Sequence, residues 1–111
     1  MINNKNKITM IKNFDEFLNE SNIQDLKDEI RDDIRNKLVK VRKSNKLDDK
    51  SLDLMYFSVD KKEEVEWMQF YVDEEFLHNA NIIQDLKKIG KAYGCGKEEI
   101  DDVKSSIWLN R

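Results

Sequence analysis

Apolar positions along the chain follow two different periods. Ile23, Leu26, Ile30, Ile34, Leu38 and Val41 recur at steps of three and four, the spacing of a single stripe on an amphipathic helix. Ser21 or Asn22 is placed to cap this helix, which is expected to run to about Lys43 with acids early and bases late, as the macrodipole favours. Upstream, Phe14, Phe17 and Leu18 give a short helical face behind a cap at Asn13. Residues 1–13 are polar, rich in Asn and Lys and without sustained period, so they are expected to form a flexible arm, or a late-ordered strand, ahead of one domain over 14–111. Ser44–Lys50 is expected to be a loop.

From Leu52 the pattern changes. Leu52–Val59 and Val65–Val72 are dense in aromatic and β-branched residues and are joined by the polar Asp60-Lys61-Lys62-Glu63-Glu64. This predicts a β-hairpin. The competing reading takes Asp60 and Glu63 as a capping box opening a helix with Val65, Met68, Val72 and Phe76 on one face. Strict alternation along the hairpin would put Met55, Phe57 and Val59 on one face with Met68, Phe70 and Val72. Leu52, Leu54 and Tyr56 would share the other with Val65, Trp67 and Tyr71. A hairpin alone cannot bury two apolar faces, so either helices cover both or one receives a partner or a second copy of the chain. Tyr56, Trp67 and Tyr71 are the candidate partner face, because Tyr and Trp are enriched at interface hot spots.

Helical period returns after Asn79 or Asn81, either of which is suited to cap a helix with Ile82, Ile83, Leu86, Ile89 and Tyr93 inward. Gly94 suits a left-handed C-terminal cap, and Lys97–Leu109 is expected to form a last helix with Ile100, Val103, Ile107 and Trp108 apolar. The predicted fold class is therefore α+β, with a long amphipathic helix, a β-hairpin and a C-terminal helix pair around one core.

Composition narrows the class without naming a function. At 111 residues the chain suits one domain and one core. The longest apolar run, Leu54–Phe57, is far short of the roughly 20 residues that span a bilayer, and no secretory signal is apparent, so a cytoplasmic location is expected. Cys95 is the only cysteine, which excludes an intrachain disulfide and suits a reducing compartment. Proline is absent and alanine occurs only at 80 and 92, a bias that suits an AT-rich genome.

The net charge of −3 hides a segregated distribution. Arg35–Lys50 carries seven basic residues against Asp48 and Asp49, and Arg35, Lys37, Lys40, Arg42, Lys43 and Lys46 make a candidate basic patch. Asp60–Glu75 carries seven acidic residues against two lysines. Glu63, Glu64 and Glu66 there, with Glu98, Glu99, Asp101 and Asp102 further on, are candidate acidic docking residues. Segregated charge steers partners of either sign, although such runs are also ordinary solvated faces.

Residues for chemistry are sparse. Asp32–Asp33, Asp48–Asp49 and Asp101–Asp102 are expected to be exposed, without the burial a catalytic pKa needs. His78 and Cys95 are the only soft ligands, too few for a zinc site; as a nucleophile and base they compete with a capping histidine and a buried structural thiol. Gly90, Gly94 and Gly96 match no phosphate-binding fingerprint. No catalytic residue, metal or cofactor is therefore expected.

Two stretches resemble known families. With Gly94 as the turn glycine and Gly90 four residues before it, Ile89, Tyr93, Cys95, Ile100 and Val103 fall at the apolar positions of a helix-turn-helix. Gln84 to about Ser105 thus resembles DNA-binding regulators, which implies nucleic-acid contact. The second helix departs from the pattern, because Glu98, Glu99, Asp101 and Asp102 outweigh Lys97 and Lys104 and oppose phosphate binding. Lys12-Asn13-Phe14-Asp15-Glu16-Phe17-Leu18-Asn19-Glu20 is similar to the head-targeting leader of internal proteins of T-even-like tailed phages. That similarity implies cleavage after Glu20 and either a virion-interior or an injected protein. The expectation is a phage-type accessory protein that binds and inhibits or modulates a host protein, such as a nucleic-acid-acting defence complex of the anti-CRISPR or anti-restriction type. A head-internal structural protein and a small nucleic-acid-binding regulator are the alternatives, and a homodimer is left open.

Overall fold

The computed structural model describes residues 12–111, with side chains from residue 23 onward. The expected arm falls almost wholly outside the described residues, as do the side chains of the leader-like Lys12–Glu20. Helix α1 spans Lys12–Asn45. The two helices expected at 14–18 and from 21 are one, and the backbone of Ser21 and Asn22 lies inside it rather than at a cap. Ile30, Ile34, Leu38 and Val41 form its buried stripe, with Leu26 packed against the core. The helix ends in a pair of bonds, Leu47 N to Arg42 O (2.8 Å) and Lys46 N to Lys43 O (3.3 Å). Lys46 sits at φ 57° between them, which is the left-handed turn of a Schellman motif.

Four strands follow: β1 (Leu52–Val59), β2 (Val65–Val72), β3 (Lys97–Asp101) and β4 (Ser106–Asn110). They form one antiparallel sheet in the order β1-β2-β4-β3. After a short 3-10 turn at Glu74–Phe76, α2 (Ala80–Lys91) carries the chain from β2 to β3. Asn79 caps α2, its side chain accepting from Asn81 N and Ile82 N, and Ile82, Leu86 and Ile89 are buried beneath it. Both helices lie on one face of the sheet, where their stripes meet Leu52, Leu54, Val65, Met68, Phe70, Val72, Ile107 and Leu109 in a single core.

The predicted division of hairpin faces is corrected by two irregularities in the β1–β2 ladder. Met55 has no opposite number between Leu54↔Phe70 and Tyr56↔Gln69, and Glu66 has none between Ser58↔Trp67 and Val59↔Val65. Each extra residue reverses the alternation beyond it. Leu52 and Leu54 therefore share the core face with Met68, Phe70 and Val72, although strict alternation would oppose them. Glu66 does the same for Val65. The hairpin thus has one apolar core face, and the helices cover it.

The helix-turn-helix is not formed. Lys97–Asp101 and Ser106–Asn110 are paired strands, so the C-terminal element is a second hairpin. Ser106-Ile107-Trp108-Leu109-Asn110 alternates with period two, burying Ile107 and Leu109 fully, whereas a helical stripe would have required Val103, which is 94% exposed in the turn. The Asp101 carboxylate accepts from Lys104 N (3.0 Å) and Ser105 takes φ 51°, turn chemistry that competes with a helix. Gly94 has a positive φ of 81°, but it redirects the chain into a strand.

Candidate functional site: the open face of the sheet

With both helices on one side, the register fixes what the other side carries. Three cross-strand rows run β1-β2-β4-β3: Asp53, Tyr71, Ser106 and Asp101; Tyr56, Gln69, Trp108 and Glu99; Ser58, Trp67, Asn110 and Lys97. The bulge at Met55 is what brings Tyr56 onto this face. Trp67 and Trp108 are diagonal neighbours on adjacent strands and meet with ring centroids 5.0 Å apart, tilted at 53°, a favourable aromatic geometry. Both are half-buried, as is Tyr71, while Tyr56 is 63% exposed. Beneath this aromatic layer Gln69 and Ser106 are buried, and Gln69 Nε2 donates to Ser106 Oγ (3.2 Å). The register sets Tyr56 and Trp108 opposite Gln69 and places Trp67 and Tyr71 two residues to either side of it, so the four rings surround this buried amide on the open face.

The three residues picked from sequence as a partner face, Tyr56, Trp67 and Tyr71, do lie on one side of the sheet. Trp108 completes this face, and a helical reading of Lys97–Leu109 does not place it there. The signal for it was the period-two alternation of Ser106–Asn110.

The acidic candidates do not form one surface. Glu99 and Asp101 edge the open face on β3. Glu98 points to the helix side and pairs with Lys87 (3.0 Å), and Asp102 meets His78 Nε2 at 2.6 Å in an exposed pair. Glu63, at φ 65°, and Glu64 lie in the β1–β2 turn. There they line a hollow of about 400 Å3 together with Leu26, Ile30, Tyr93 and Arg111. Glu66 accepts from Ser58 Oγ (2.8 Å). In the same turn the Asp60 carboxylate is held below its ordinary range, chiefly by the Glu64 amide that donates to it.

The basic patch divides too. Arg35, Lys40, Lys43 and Lys46 are exposed. Arg42 is half-buried and donates Nε to Leu52 O (2.9 Å), with Asp53 3.6 Å away. Leu54 N donates to Asp53 Oδ1 (2.8 Å), so together Arg42 and Asp53 satisfy the start of edge strand β1. Lys37 pairs with Asp33 (3.0 Å) and lies over the Tyr93 ring (5.3 Å). Tyr93 donates its hydroxyl to Asp33. That bond is the main cause of the lowered Asp33 pKa, and burial followed by the same bond raises that of Tyr93.

His78 and Cys95 are not brought together as a nucleophile and base. His78 engages Asp102, while the buried Cys95 thiol faces the carbonyls of Val65 (3.4 Å) and Tyr93 (3.8 Å). Burial pushes the Cys95 pKa up, which disfavours the reactive thiolate. Among the described residues, no three His, Cys, Asp or Glu side chains are grouped to hold a metal ion, and no helix is long and apolar enough to cross a membrane. Comparison of the chain with protein-family models, curated proteins and solved structures gave no match.

Proposed function

We propose that the protein works by binding a protein partner on the open face of its sheet, as an accessory protein that inhibits or modulates a host complex would. The observation that supports this reading is the aromatic surface of Tyr56, Trp67, Tyr71 and Trp108, which neither described helix covers. Solvent-facing sheet surfaces are usually polar, and half-exposed Tyr and Trp side chains flanked by charges have the composition of an interface hot spot. Glu99 and Asp101 on β3, with Asp53 on β1, outnumber Lys97 at the edges of the face, an acidic bias that complements a basic partner surface such as a nucleic-acid-binding groove. The mechanism is occlusion of that surface. The phage-type origin rests on the leader-like Lys12–Glu20 and on composition.

The test is affinity capture from a bacterial host lysate with the wild-type protein and with Trp67→Ala and Trp108→Ala in parallel. Each substitution should cost about 2 kcal/mol, or roughly thirtyfold in affinity, and release the captured partner. Retention of the same partner by both variants would refute the open face as the binding site. Glu99→Lys and Asp101→Lys should weaken capture less and flatten its salt dependence.

A second reading draws on the same rings, since exposed aromatics on an antiparallel sheet also stack nucleobases. Asp53, Glu99 and Asp101 would then stand against phosphates, which opposes the charge term of nucleic-acid affinity. Tight binding of single-stranded oligonucleotides, lost in Trp108→Ala, would favour this reading.

A further inference from the structure

A groove of about 260 Å3 separates α1 from edge strand β1, lined by Gln24, Lys27, Arg31 and Arg35 on the helix and by Leu54, Met55, Tyr56 and Phe57 on the strand. Its helix wall is basic. Arg31 rests over the Phe57 ring (5.6 Å) and is braced by Asp28 (2.9 Å), to which Gln24 also donates (3.2 Å). Among the described residues neither Lys27 nor Arg35 is ion-paired. Lys27, Arg31 and Arg35 stand at i, i+4 and i+8, so their positive charges recur about every 6 Å along the groove.

That interval selects among anions. In an extended peptide, side chains on one face recur about every 6.6 Å, so carboxylates on alternate residues meet successive cations nearly in register. The other wall supplies matching contacts: Met55 and Tyr56 are exposed apolar side chains at the bulge. The Leu52 carbonyl and Leu54 amide are already taken by Arg42 and Asp53, so that stretch of β1 does not offer its backbone to a fifth strand. Recognition in the groove is therefore carried by side chains.

We propose that this groove is a docking site for an acidic, extended segment of a protein partner with Asp or Glu at alternate positions, laid along Lys27, Arg31 and Arg35. The site is distinct from the aromatic face and does not depend on its function, with only Tyr56 at the rim shared between them.

The test uses the full chain and a short labelled peptide in which Glu alternates with Thr, followed by fluorescence anisotropy at low salt. An isomer of the same composition with its Glu residues in one block, and an oligothymidylate, serve as competing probes. The alternating peptide should bind about tenfold more tightly than the blocked isomer. Arg35→Glu and Lys27→Glu should each weaken it by a similar factor, with helical circular dichroism unchanged because both side chains lie on the helix surface. Trp108→Ala should leave peptide binding intact, which separates failure here from failure of the open-face reading. Equal binding of both isomers, absence of binding, or tighter binding of oligothymidylate would overturn the proposal. Self-association of the chain that occupies the groove and excludes the peptide would do so as well.

Discussion

Gly90 illustrates how a single residue position is fixed by a chain crossing rather than by local conformation. A Cβ there would lie 2.1 Å from the Cys95 carbonyl oxygen and 2.7 Å from Leu109 Cδ1, because the chain turns back over the end of α2 and bonds Cys95 N to Gly90 O (2.8 Å). The obstacle is backbone, which cannot rotate away. Gly90→Ala should therefore destabilise the fold by about 3 kcal/mol, measurable as a shift in the urea midpoint. Stability within 1 kcal/mol of wild type, as an order of magnitude for a harmless change, would mean that the crossing is looser than the geometry implies. The sequence marked Gly90 as the small residue of a helix-turn-helix; the requirement for a small side chain was legible, but its reason was not.

The Tyr93–Asp33 contact belongs to the same scale and sets a pH window. Asp33 has its pKa lowered from an ordinary 3.8, so its contribution is present above about pH 4 and is lost as pH falls through the lowered folded value. Tyr93 has its pKa raised from 10.0, so its contribution holds below about pH 10 and is lost as pH rises beyond that. Tyr93→Phe should cost about 1 kcal/mol across the interval between, and the gap from wild type should close at both extremes. A gap independent of pH would assign the effect to packing rather than to the hydrogen bond.

At the level of elements, the long helix and the strand-rich middle were legible because each has many residues repeating one period. What failed was phase. Alternation is the only clue to which face a strand residue occupies, and one unpaired residue reverses it. Met55 and Glu66 each do so, so Leu52, Leu54 and Val65 join the buried face and the opposite face keeps only the aromatic Tyr56, Trp67 and Tyr71 as its apolar side chains. This makes deletions diagnostic. Removing Met55 leaves Leu54↔Phe70 and Tyr56↔Gln69 as consecutive pairs, so every other side chain keeps its face, and the cost should stay near 1 kcal/mol. Removing Asp53 forces either Leu52 or Leu54 onto the open face and should cost about 2–3 kcal/mol more. Thermal melts of the two variants compare them directly, and equal melting temperatures would rule out the assigned register. The C-terminal hairpin was lost for a related reason. Apolar spacing over Lys97–Leu109 admits a helix, and the deciding information lies in Asp101, Lys104 and Ser105, whose turn chemistry outweighs a short ambiguous run.

For the whole molecule, one two-layer arrangement decides where function can reside. Both helices cover a single face of the sheet, so the Tyr56, Trp67 and Tyr71 side chains on the other face remain in contact with solvent. Strand alternation and residue type together identify three members of this surface in the sequence. They could not show that the acidic residues disperse to a turn, a helix-side ion pair and one sheet edge, because that separation depends on strand order. The arrangement also places Trp67 and Trp108, both tryptophans of the chain, on the open face and neither among the buried core residues. Tryptophan emission therefore reports on this surface without contribution from the core. Acrylamide should quench the free protein readily, and a partner docked on the open face should shift the emission to the blue and reduce quenching. The acidic peptide in the groove beside α1 should leave both almost unchanged, because the groove lies along β1 and α1 whereas the ring pair sits on β2 and β4. A captured partner that leaves tryptophan quenching unaltered would locate its interface away from the sheet and remove the main support for the proposed function.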